Sequence, residues 1–159
     1  MPIRRLNEKK SKDYWKPREG ILRFQRTALG VDCGDDRSPP AEHQKLLRCL
    51  VEGNQIRSKR TSLLMLTVAK IHFDHNGQAD LPAYHDVGLA VGNLVVQATA
   101  MDLAVHQMAG ILPDNIRECY AFPTGFEAVT GIAIGDQGDP KILPDRLRDQ
   151  ELASRPGTR

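Results

Sequence analysis

The segment Tyr84–Gly110, YHDVGLAVGNLVVQATAMDLAVHQMAG, limits the possible folds more than any other stretch of this chain. It is the longest apolar-periodic run. Val87, Ala90, Val91, Leu94, Ala98, Met101 and Val105 recur at three- and four-residue spacing, which aligns them on one face of an α-helix. Leu89, Val95, Val96, Leu103 and Ala104 make much of the remaining surface apolar as well. A helix apolar nearly all round belongs in the middle of a fold or at a subunit interface. Gly88, Ala90, Gly92 and Ala98 keep parts of it thin, so that another backbone can approach closely. The pattern predicts one long helix of about 35–40 Å at the usual rise per residue. Gly110 is expected to end it as a C-cap glycine.

The chain of 159 residues is long enough for one domain with a real core. Asn93, Gln97 and Asp102 interrupt the apolar run, so it does not read as a membrane span. The N-terminus is charged and lacks an apolar signal core, and the expected location is the cytoplasm. Cys33, Cys49 and Cys119 are odd in number, widely spaced and free of any CxxC pattern, and they read as reduced thiols. Residues 1–26 carry nine Arg and Lys against three acidic residues. Such an arm is a solvated terminus, a phosphate contact or a nucleic-acid contact; no nucleic-acid motif accompanies it.

Residues 1–40 show no sustained helical or strand period and end on Gly30, Gly34, Pro39 and Pro40. They are expected to be an atypical, basic, poorly structured segment ahead of a domain over 41–159. From Pro40 the texture changes. Ala41–Arg57 reads as one helix, and Thr61–Phe73 as a buried strand rich in branched residues. His75–Ala83 is a loop around Asn76-Gly77. After the long helix, Pro113 opens a short helix to about Tyr120. Phe122–Gly125 is a turn, Phe126–Gly135 a second apolar strand, Asp136–Pro140 a loop and Leu143–Leu152 a charged helix. The order helix–strand–helix–helix–strand–helix indicates an α+β fold with a small sheet.

The search for reactive side chains returns little. His72, Asp74, His75, His85 and Asp86 gather around one loop, but their spacing matches no ligand pattern, and solvated loop residues explain them equally well. No metal site is expected. There is no GxSxG elbow, and GIAIGDQGDP is not followed by a helix as a phosphate-binding turn requires. Gly131 and Gly135 read as strand-edge and turn glycines. No catalytic side chain emerges. The end of the long helix, His106–Ile111, stops at small residues whose backbone N–H groups either face a ligand or belong to an ordinary helix exit.

From about Pro40 onward the chain resembles the FMN-dependent nitroreductase family. The carrying segments are EHQKLLRCLVEGNQ, LLMLTVAK, YHDVGLAVGNLVVQATAMDLAVHQMAG, AVTGIAIGDQGDP and LPDRLRDQELA, in order, over roughly three-quarters of the chain. The resemblance implies an α+β homodimer with a small central sheet, flanking helices and a long central dimerisation helix. FMN would lie in a crevice between subunits. Gln107, Met108, Ala109 and Gly110 match positions beside the isoalloxazine ring, and Arg155 or Arg159 matches positions reaching the FMN phosphate. The implied reaction is hydride transfer from NAD(P)H through FMN to a nitro compound, quinone or enal-type acceptor, with the chemistry carried by the cofactor. No nucleic-acid or membrane partner is implied.

The chain departs from the family pattern at its N-terminal end. Trp15-Lys16-Pro17-Arg18 only faintly echoes the phosphate-holding motif, and the stretch from Arg18 to His43 is too short for the usual helices and strand. Back-translated and read one base forward, Phe24–Asp35 admits FNEQPWGLIVAT, the family's flavin-reading segment and strand. This predicts a displaced reading frame that returns near Pro39–Ala41. The alternative is a non-catalytic, truncated remnant that only dimerises through its long helix. The nucleotide sequence of the gene tests the displaced frame: codons that do not spell this segment in the neighbouring frame remove it.

Overall fold

The computed structural model describes Ile3–Arg4, Ala28–Asp32 and residues 41–153. Its centre is β5, Phe126–Gln137, in an antiparallel five-stranded sheet. Strand β3, Leu63–Lys70, pairs along β5 from Phe126 to Ile134. Strand β4, Ala104–Met108, pairs with β5 over Gly131–Gly135. The two-residue β1, Ile3–Arg4, meets β5 at Gln137 and Asp136, and β2, Ala28–Asp32, pairs with β3.

The six residues Leu64–Ala69 of β3 are all buried, as an apolar run covered on both faces should be. Alternation then sorts them. Leu64 and Leu66 join Leu46, Cys49, Leu50, Met108, Ile116 and Ala133 in one core. Met65 and Ala69 join Val87, Val91, Ile132 and Ile134 in the other. A register shift between Thr67 and Val68 interrupts the β3–β5 ladder. The Thr67 hydroxyl accepts the Thr130 N–H there at 3.1 Å, so the irregularity leaves that donor satisfied.

The expected long helix is two elements. Helix α3 covers Ala83–Ala100, 18 residues or about 27 Å. The chain then turns at Asp102, φ 59°, and becomes β4. The Leu103 N–H bonds the Ala98 carbonyl at 2.9 Å and the Asp102 N–H bonds that of Thr99 at 3.0 Å, the paired bonds of a Schellman ending. Asp102 thus terminates the helix, and Gly110 is not its cap. Nor is α3 central to the monomer. Ala83, Val87, Val91 and Ala98 are buried against the sheet, whereas Leu89 and Val96 are 57% and 71% exposed.

Ala41–Arg57 also divides, into α1, Ala41–Leu47, and α2, Glu52–Ser58. Neither Pro nor Gly breaks it. Instead Leu50 forms an isolated antiparallel bridge with Ile111, and the Leu112 N–H bonds the Cys49 carbonyl at 2.8 Å. The expected strand Thr61–Phe73 narrows to Leu63–Lys70, and β5 runs to Gln137 through the start of the expected loop. Pro140–Ile142 is one 3-10 turn. Helix α4, Pro113–Tyr120, has the expected bounds, and α5 is Asp145–Leu152. The turn glycines Gly77 and Gly125 have φ of 69° and 87°. Within residues 1–40, Ile3–Arg4 and Ala28–Asp32 are strands of the sheet, although the sequence there shows no sustained strand period. Trp15–Arg18 lies outside the described residues.

Gly131 and Gly135 are buried within β5, not at a turn. A Cβ on Gly131 would meet Leu50 Cδ2 at 2.9 Å and Met108 Cε at 3.3 Å, so the Leu50 side chain fills the space that the glycine leaves. Leu50→Ala is expected to lower stability by about 2–5 kcal/mol. Urea unfolding should show this as a lower midpoint with an unchanged slope.

Candidate functional site

Gln107, Met108, Ala109 and Gly110 occupy the end of β4 and the exit from it. Among the described residues β4 pairs with β5 alone, so its other edge carries alternate backbone N–H and C=O groups outside that ladder. Gln107 and Ala109 are exposed, while Met108 is buried and its Sδ accepts the Ser58 hydroxyl at 3.2 Å. Two accessible positions, one of them polar, therefore flank one anchored in the core. This strand-edge geometry replaces the expected helix end.

Gly110 is held firmly. Its carbonyl accepts the Val51 N–H at 3.1 Å and the Asn54 side-chain amide at 3.0 Å. A Cβ there would fall 2.6 Å from Val51 Cγ2 and 2.7 Å from Asn54 Nδ2. Close approach to the start of α2 is what requires glycine at this position.

A second set of contacts links α2 to α5. The Arg57 guanidinium donates through Nε to Glu151 at 3.3 Å, through Nη2 to Gln150 at 3.2 Å and through Nη1 to the Gly53 carbonyl at 3.4 Å. Burial raises the Glu151 carboxyl, but hydrogen bonding and nearby positive charge, that of Arg57 among them, outweigh it, and the group ends below its ordinary range. Burial, with nearby positive charge that includes Arg57 acting in the same sense, holds the His106 imidazole below its ordinary value. Asn54 and Arg57 escaped the sequence reading, since helical periodicity marks them only as polar positions of a helix. Arg155 and Arg159 lie outside the described residues.

The loop histidines do not converge. Asp74 is ion-paired with Lys70, His85 contacts the adjacent Asp86 at 3.4 Å, and His72 bridges Ala79. Among the described residues no group of three or more His, Cys, Asp or Glu side chains is placed to hold a metal ion. No helix among them is long and apolar enough to cross a membrane.

A cleft of about 150 Å³ lies between α4 and the start of β5, lined by Ile116, Arg117, Phe122, Phe126 and Glu127 among others. Small-molecule sites usually enclose roughly 300–1,000 Å³. This cleft does not enclose a ligand as large as a flavin. The edge of β4 that pairs with no described strand carries backbone donors and acceptors of its own.

No protein-family model matches the sequence, and a search of curated proteins gives no match. Solved structures do match. The crystal structure of an oxidoreductase containing FMN is 26% identical, covers 97% of this chain and 81% of its own, and superposes with a TM-score of 0.74. An FMN-dependent nitroreductase from Clostridium difficile R20291 is 17% identical, with 99% and 95% covered and a TM-score of 0.57. NfrA2 from B. megaterium is 16% identical, with 100% and 72% covered and a TM-score of 0.58. The structural neighbours are thus nitroreductase-family and FMN-containing oxidoreductases over nearly the whole chain, and the fold is the α+β nitroreductase-like fold.

Gly110→Ala is expected to cost about 1–3 kcal/mol, because Val51 and Asn54 must move. Gly88→Ala is the matched control. A Cβ at Gly88 meets nothing within 4 Å, and an alanine in a helix interior gains about 1 kcal/mol. Opposite shifts of the thermal midpoint are the expected result.

Proposed function

We propose that this chain is an FMN-dependent NAD(P)H oxidoreductase of nitroreductase type, acting as a cytoplasmic homodimer on a nitro compound, quinone or similar small acceptor. The observation that carries this reading is the likeness to an FMN-containing oxidoreductase over nearly the whole chain. The open β4 edge supports it from the chemical side.

FMN, when bound, supplies the hydride-accepting and hydride-donating chemistry, and no side-chain nucleophile is required. The protein's task is binding, orientation and exclusion of water. The backbone from Gln107 to Gly110 would hydrogen-bond one margin of the ring. Val51 and Asn54 fix the Gly110 carbonyl, so this margin is set before the ligand arrives. Arg155 or Arg159 would pair with the phosphate, for which a planar guanidinium is well shaped. The bare face of α3 supplies the dimer contact. Leu89 and Val96 are exposed apolar groups on it.

A second reading is a non-catalytic chain that dimerises through α3 without flavin. The short stretch between Arg18 and His43 favours it. The absorption spectrum of the purified protein with added FMN, followed through gel filtration, separates the two. Flavin co-eluting with a dimer, and bleached by NAD(P)H, is the expected result. A colourless dimer would leave the second reading standing, and a colourless monomer would remove both. Val96→Lys is expected to move the sedimenting species from dimer to monomer.

A further inference from the structure

The corner between α1 and α2 and the far end of α4 bring two cysteines together. Cys49 is fully buried, and Cys119 is half-buried and packs against the same core cluster. The Cys49 thiol donates to the Lys45 carbonyl at 3.5 Å, and Cys119 lies close enough to act on it electrostatically. Their elements are fixed to one another independently of the sulfurs. The Leu112 N–H bonds the Cys49 carbonyl at 2.8 Å, and the Asn115 amide bonds the Arg48 carbonyl at 2.9 Å. Both donors lie at the start of the helix that carries Cys119. These bonds hold the corner that carries Cys49 against the helix that carries Cys119. The surroundings are apolar or aromatic, with Tyr120 stacked at 6.1 Å on Phe122 and capped by Lys45 Nζ at 4.5 Å.

We propose that Cys49 and Cys119 form a reversible dithiol–disulfide pair, oxidised by peroxide and reset by thiol reductants. This revises the reading of these residues as reduced thiols, and it does not rest on flavin binding. The more accessible Cys119 reacts first. Its thiolate sulfur attacks a peroxide oxygen, the O–O bond breaks, and the departing hydroxide takes a proton to become water. The Cys49 sulfur then attacks the Cys119 sulfenic sulfur. The S–O bond breaks, the S–S bond forms, and hydroxide leaves as water with the proton from Cys49. Two thiols lose two electrons and two protons, and one peroxide becomes two waters. Burial pushes the Cys49 thiol up to about 12, with Cys119 acting in the same direction, so Cys49 is the resolving partner and not the first to react.

Cys33→Ser leaves this pair as the only thiols of the chain. The variant is treated with hydrogen peroxide while folded, then unfolded, alkylated and mapped by mass spectrometry. The expected result is no alkylated cysteine and one intramolecular cross-linked peptide joining 49 to 119, with both thiols recovered by dithiothreitol. Cys49 remaining free beside an over-oxidised Cys119, covalent dimers through Cys119, or two free thiols at excess peroxide would each overturn the proposal. In Cys33→Ser/Cys49→Ser, Cys119 is expected to advance to sulfinic acid at the same dose. Should that variant not fold, Cys33→Ser/Cys119→Ser serves. Its buried Cys49 is expected to stay reduced, and equally fast oxidation of it would reverse the assigned order and defeat the proposal.

Discussion

Over Gly131–Ile134, β5 is hydrogen-bonded to β3 along one edge and to β4 along the other, and the whole of that stretch is buried. Backbone donors and acceptors buried so deeply cannot be left unpaired, so both neighbours are obligatory. The two faces of the same stretch are divided by alternation. Ala133 faces the core beneath α1 and α4, while Ile132 and Ile134 face α3. The glycine at 131 admits Leu50 against the strand, which draws the α1–α2 corner onto the sheet.

That corner is where the candidate site acquires its rigidity. Residues 49–55 and 108–112 are stitched by the Leu50–Ile111 bridge, the Leu112 to Cys49 bond and the two donors on the Gly110 carbonyl. A strand exit would ordinarily be a soft place. Here it is bonded on one side, and on the other it pairs with no strand among the described residues. The Arg57 fork extends the same framework to the last helix of the described chain.

Much of this was legible where one signal dominated. Pro113 marked α4 to the residue, and branched apolar residues marked β3 and β5. The errors fell where two signals overlapped. AVHQM continues the apolar spacing of α3, so the change from helix to strand was invisible to periodicity. Its marker was Asp102, a residue that tolerates the left-handed region, and Gly110 drew attention away from it. The break at Arg48–Val51 has no local cause, because its competing partner is the distant Ile111. Gln107–Gly110 stood out only through resemblance. Asn54 and Arg57 act on residues 56 and 94 positions away, a kind of relation that no local pattern records.

The corner at Met101–Leu103 leaves α3 for β4 with no slack. One residue inserted or removed there would advance β4 by half its pleat, sending Met108 outward and Gln107 into the core, while α3 stayed in place. Length variation in this architecture must therefore be accommodated elsewhere. The exposed loop around Asn76-Gly77, whose residues 74–79 contribute no side chain to either core, is a place where the chain can lengthen without disturbing the sheet. The corner at Asp102 thus acts as a ruler within the chain, fixing in residues the distance between the exposed apolar face of α3 and the edge of β4.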